Sequence, residues 1–178
     1  RYLTSHFALA GENDLLLVYF AGHGETVDGQ LQLLPRDATA VDVAASGFAF
    51  SKLDDLLSRS KARKKVLLLD ACHSGTGRSR QSLSPEAILE IEHASEGKVV
   101  LVSCSADELS HEMPEEGHGA FTYFLLEGLR GRADRDDSGF VSASELSFYT
   151  WDKTRRWAAG QGLKQTPWRM ETVAGEVI

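Results

Sequence analysis

Two side chains capable of nucleophile and base chemistry stand just past the ends of two apolar runs. His23 lies three residues beyond the run Leu15–Phe20, and Cys72 lies two residues beyond Asp70, which closes the run Val66–Leu69. A thiol is a weak nucleophile until it becomes a thiolate, and a neighbouring imidazole can take its proton. Attack of that thiolate on a peptide carbonyl would give a thioester acyl-enzyme. The glycines on either side of His23 let the backbone approach a substrate closely. The amides of Gly24 and Cys72 are placed to donate to a developing oxyanion. A single cysteine after a buried strand is usually a small core residue, and a single histidine there is a polar lip residue. It is the pair, in matching contexts, that points to catalysis.

The elements around the pair must bring it together. Tyr2–Ala10 reads as the tail of a helix stopped by Gly11. The run Leu15–Phe20 is apolar throughout, as expected of a strand buried on both faces, and Gly22-His23-Gly24 breaks it. A polar, irregular stretch follows to about Gly47. Ser51 is positioned to cap a helix over Lys52–Ser60. Val66–Asp70 is a second buried strand, and Thr76–Ser84 is a polar segment read as a mobile loop. Ser84-Pro85-Glu86 opens another helix with proline at its first position. Lys98–Ser103 is a third strand. Ala120–Leu129 is a helix with Phe121, Phe124, Leu125 and Leu129 on one face, and Leu146–Ala159 is another. Strands alternating with helices predict a three-layer α/β fold with a mostly parallel central sheet flanked by helices. Functional groups in such sheets gather beyond the carboxyl ends of the strands. If the two strands are neighbours, about 4.8 Å separates them and the two lips converge.

Composition narrows the classes of function. The 178 residues suit one domain, residues 1–178, and the formal net charge of -7 argues against a nucleic-acid partner. No apolar run approaches the ~20 residues of a membrane helix. Two cysteines exclude a disulfide scaffold and fit a reducing compartment, here read as cytoplasmic. His23-Gly24-Glu25 lacks the Cys-x-x-Cys that a zinc deaminase requires. Dinucleotide and phosphate-loop fingerprints are incomplete as well. The other histidines (His6, His73, His93, His111, His118) show no metal-ligand spacing, and no cofactor is expected.

LLLVYFAGHGE at Leu15–Glu25 and VLLLDACHSG at Val66–Gly75 resemble the histidine and cysteine motifs of the caspase-like peptidases, closest to the bacterial-type metacaspase-like proteases. His23 and Cys72 are 49 residues apart, and a separation of about 50 is a known caspase pattern. SCSADELS and GHGAFTYFLLEGL, within Val99–Leu129, resemble the second half of that fold. The resemblance implies a cysteine endopeptidase acting on proteins or peptides through a Cys-His dyad. Where caspases carry glutamine two residues before the nucleophile, this chain has Asp70, as metacaspases do. A carboxylate at the base of a pocket favours a cationic side chain, so the resemblance implies cleavage after Arg or Lys. The plainer reading of Asp70 is a strand end that caps a turn. Asp107 is a second candidate for lining the cleft, while Glu108 and Glu112 read as solvated charges. Ala21 stands where metacaspases often have serine. The family opens with a strand and a helix ahead of the histidine strand, so this domain reads as lacking them. They would sit on a separate N-terminal fragment, be disordered or cut away, or be supplied by an activating partner.

Two further patterns carry smaller expectations. Asp134, Asp136, Ser138, Gly139 and Glu145 fall at positions 1, 3, 5, 6 and 12 of an EF-hand loop. The alternative is an acidic turn in which Ser142 or Ser144 caps the last helix, and no metal site is assigned. Cleavage after Arg78 or Arg80 in the loop that follows Cys72 would make the chain its own substrate, against a plain reading as a solvated basic loop. Two other classes of function stay open: a catalytically silent caspase-fold adaptor and a calcium-responsive interaction module.

Overall fold

The computed structural model describes residues 2–39, 41–74, 80–81, 84–95, 97–105 and 108–171, with 2, 72–74, 80–81 and 171 as backbone only. Helix α1 (Tyr2–Leu9) is followed by the long strand β1 (Leu15–Val27), a tight turn, and β2 (Gln30–Leu34). The turn is Asp28-Gly29, with φ of 50° and 77°. Two successive positive φ values match the twist of a two-residue hairpin, and Asp-Gly is the dipeptide that tolerates them. A short helix α2 (Val43–Ser46) and strand β3 (Phe48–Ala49) lead into α3 (Phe50–Arg59). Next come β4 (Lys64–Ser74), β5 (Arg80–Gln81), α4 (Pro85–Ala94), β6 (Val99–Val102), the hairpin β7 (Glu112–Met113) and β8 (His118–Gly119), and α5 (Ala120–Glu127). A π-helical turn over Gly128–Arg132 is followed by α6 (Ala143–Gly160) and β9 (Trp168–Glu171).

The main sheet runs β3-β2-β1-β4-β6-β9, with β5 paired to β4. Its centre is parallel: β1 pairs β4 and β4 pairs β6. The flanking pairs β1–β2, β2–β3 and β6–β9 are antiparallel. Alternation along β4 and β6 builds the two hydrophobic layers. Leu67, Leu69, Val100 and Val102 face Phe7 of α1, Leu53 and Leu57 of α3, and Ala87 and Ile91 of α4. Val66, Leu68, Val99 and Leu101 face Phe121 and Leu125 of α5 and Ala143 and Leu146 of α6. This is the expected three-layer α/β arrangement.

Three expectations need correction. Strand β1 does not stop at Gly22-His23-Gly24; it continues to Val27, because residues 23–27 pair with β2 as well. The stretch expected to be irregular therefore contains β2, α2 and β3. Nor is β1 buried on both faces: Leu16, Val18 and Phe20 pack on the α1/α3/α4 layer, whereas Leu15, Leu17 and Tyr19 are 42–44% exposed. Finally, α3 begins at Phe50 behind Ala49, which makes no side-chain cap, so Ser51 lies inside the helix.

At α4 the expected start holds: the Ser84 hydroxyl accepts from the Ala87 amide, with Pro85 at the first position. Helix α6 begins three residues earlier than its apolar pattern suggested, on a reciprocal cap. Ser142 Oγ accepts from the Glu145 amide at 3.2 Å, and Glu145 Oε2 accepts from the Ser142 amide at 2.9 Å. Those donors, that of Ser142 first and then that of Arg135, hold the Glu145 carboxyl below its ordinary range. Ser142→Ala is expected to lower stability by about 1 kcal/mol and the melting temperature by about 2–4 °C. A thermal melt unchanged from wild type would show that the cap contributes nothing.

Candidate active site

The β1–β4 ladder sets the relation between the two reactive positions. Its register runs from Leu15 opposite Lys64 to His23 opposite Cys72. Both residues therefore lie at the carboxyl ends of adjacent parallel strands, one strand spacing apart. His23 is exposed on the lip, and Gly24 next to it is buried and paired with Leu33 of β2. The backbone at Cys72 continues as strand to Ser74 and pairs with β5.

A cleft of about 600 Å³ opens beside His23. Tyr19, Ala21 and Gly22 of β1 form one wall and Thr122 of α5 another; residues 109–112 and 117–119 close it. Asp70, at the position paired with Ala21, lines the same cleft. Its two carboxylate oxygens are held separately: Ser110 Oγ donates to Oδ1 at 3.0 Å, and Thr122 Oγ1 donates to Oδ2 at 2.5 Å. Thr122 has a single proton and gives it to Asp70, so Tyr19 Oη, 2.7 Å away, donates to Thr122. Gln165, almost fully buried, completes the set. Its amide nitrogen donates to Ser110 Oγ at 2.9 Å and to the Ser103 carbonyl at 3.0 Å, and its oxygen accepts from the His111 amide at 3.0 Å. The α5 end of the cleft is equally tight: a Cβ on Gly119 would come within 3.0 Å of Asp70 Oδ2. Burial raises the Tyr19 phenol above its ordinary value, and the charges of Asp70 and Glu112 push it the same way.

The structure thus brings His23 and the backbone of Cys72 together and sets Asp70 in the adjoining cleft, hydrogen-bonded to α5 instead of merely ending a strand. Asp107, the expected second lining residue, lies outside the described residues, as does Arg78; the Arg80 backbone forms part of β5. Glu108 corrects a prediction. It is buried, pairs with Lys164 Nζ at 3.1 Å, and accepts from the amide and hydroxyl of Thr166. An anion can be buried there because those donors replace water. Glu112 is exposed, as expected of it. Cys104 is a buried core residue.

Tyr19, Ser110, Gly119, Thr122 and Gln165 escaped sequence reasoning. Alternation could have found Tyr19, which shares a strand face with His23. Ser110, Gly119 and Thr122 lie in the two segments that resemble the family, but nothing local marks their contact with Asp70, and nothing marks Gln165.

In the EF-hand-like segment, oxygens of Asp134, Asp136 and Glu145 converge to within 4.8 Å. Each is already occupied by turn donors: Asp134 by the Ser138 and Gly139 amides, Asp136 by the Ser138 amide, and Glu145 by Arg135 and Ser142. Among the described residues, no helix is long and apolar enough to cross a membrane.

Residues 3–177 match the family model of the caspase domain, peptidase C14. No curated protein matches the chain. Among solved structures, caspase-1 from Spodoptera frugiperda is similar at 15% identity and a TM-score of 0.61, covering 99% of this chain and 71% of its own. A structural-genomics protein from Geobacter sulfurreducens is similar at 17% identity and a TM-score of 0.56, covering 97% of this chain and 72% of its own. The chain belongs to the caspase-domain family, a family of cysteine peptidases.

Proposed function

We propose that the chain is a metacaspase-like cysteine endopeptidase that cleaves proteins or peptides after Arg or Lys, with Cys72 as nucleophile and His23 as general base. The observation that carries this reading is the register of His23 opposite Cys72, beside a cleft that contains Asp70. His23 takes the Cys72 proton, and the thiolate attacks the scissile carbonyl. The amides of Gly24 and Cys72 stabilise the oxyanion. The leaving amine then receives the proton from His23, which leaves a thioester for water to hydrolyse. Asp70 receives the cationic side chain that precedes the scissile bond, and Asp107 is a second candidate for that role. No prosthetic group enters this scheme, and the cytoplasm is the compartment we assign.

The β1 edge supports a partner. Among the described residues, positions 15–22 of β1 pair only with β4, and Leu15, Leu17 and Tyr19 are exposed along that stretch. An unpaired apolar edge recruits another strand. A separate N-terminal fragment or an activating partner would supply it.

Thiol alkylation tests the dyad without knowledge of the substrate. Near neutral pH, Cys72 should react with iodoacetamide at least about ten-fold faster in wild type than in His23→Ala, while buried Cys104 stays unlabelled. Equal rates in the two proteins would make Cys72 an ordinary thiol and favour a silent adaptor.

A further inference from the structure

The carboxylates of the cleft differ in one respect. Both oxygens of Asp70 already accept a hydroxyl, from Ser110 and from Thr122. Glu112 also lines the cleft, yet among the described residues its carboxylate makes neither hydrogen bond nor ion pair. Nearby Lys164 pairs with Glu108 instead. Across the β7–β8 hairpin, Glu112 stands opposite Gly119, where an added Cβ would meet Asp70 Oδ2. Glu112 is therefore one strand spacing from the backbone that lies next to Asp70. The Tyr19 phenol lies in the field of both carboxylates, although burial contributes most to its raised value.

We propose that Glu112 is the second carboxylate of the specificity cleft and that it makes the cleft select Arg over Lys. This rests on the reading of a basic-specific peptidase. A guanidinium is a planar fork with five donors and can engage two carboxylates at once, whereas an ammonium is a compact point charge that one carboxylate satisfies. Asp70, already tied by two hydroxyls, is a fixed acceptor at the base. Glu112, on a two-residue strand with an exposed side chain, closes on the far side of the guanidinium. Glu112 thus sets specificity and binds substrate, while Ser110 and Thr122 position Asp70.

The test uses matched peptides that differ only in Arg or Lys before the scissile bond, cleaved by wild type, Glu112→Gln and Glu116→Gln. Glu116 sits in the turn of the same hairpin but does not line the cleft, and its replacement changes net charge equally. Glu112→Gln should lower kcat/KM for the Arg peptide by about five-fold through KM, leave the Lys peptide within about two-fold, and so collapse the Arg/Lys ratio. Glu116→Gln should preserve the ratio. An unchanged ratio in Glu112→Gln, or an equal shift in Glu116→Gln, overturns this inference and leaves basic specificity intact. A wild type with no preference for basic residues overturns both.

Discussion

Cys72→Ala should abolish peptide hydrolysis while leaving the fold in place. The backbone at Cys72 is fixed by the β4 ladder, and alanine is the smallest change that removes the sulfur. Among the described residues of the cleft, the hydroxyls of Ser110 and Thr122 are committed to Asp70. His23→Ala should retain the nucleophile but lose its base, lowering kcat by about 10²–10⁴-fold. Cys104→Ala is the control. Cys104 is buried, so that variant should lose some stability and no chemistry. Single-turnover assays of the three proteins on one fluorogenic peptide decide the matter, and robust turnover by Cys72→Ala would sink the assignment.

The second large effect is expected at Asp70. Asp70→Asn keeps the shape of the side chain but removes the charge facing a substrate guanidinium. It also replaces one acceptor oxygen with a donor, so either Ser110 or Thr122 loses the oxygen to which it now donates. Leaving a cation unpaired in a partly desolvated cleft costs several kcal/mol, which corresponds to a fall in kcat/KM of about 100-fold or more for Arg and Lys peptides. A citrulline peptide, nearly isosteric and uncharged, should be much less affected. Comparing the two substrates separates lost charge from a distorted site. An undiminished preference for basic residues in Asp70→Asn would move the selectivity elsewhere, with Glu112 and then Asp107 the places to look.

The pairing of the His23 and Cys72 positions is legible in the sequence because its context is local. Two apolar runs of strand length, each ending in a residue with useful chemistry, suffice once the strands are taken as neighbours. The β1–β2 hairpin is equally legible, because Asp28-Gly29 is a strong hairpin signal, but the glycines around His23 place the expected strand end at Phe20, seven residues before Val27. The half-exposed face of β1 was not legible, since Leu15, Leu17 and Tyr19 look like core residues until the sheet shows no neighbour covering them. Glu108 was misread for a related reason. Nothing near it in sequence reveals Thr166, 58 residues away, as its donor. The hydroxyls around Asp70 are 40 and 52 residues from it. Such networks are assembled by topology, and single-sequence patterns see only one side of each bond.

Gln165 links the cleft to the far edge of the sheet. Three residues beyond it, β9 begins its pairing with β6. The same amide spends both protons and its oxygen on the end of β6 and on residues 110 and 111. A buried amide in that position has no partial state: withdrawing it strands several polar groups at once. Docking of the last strand and shaping of the cleft are therefore expected to be lost together when Gln165 is withdrawn. The strand that edges the sheet and the residues that shape the cleft are thus joined through one side chain.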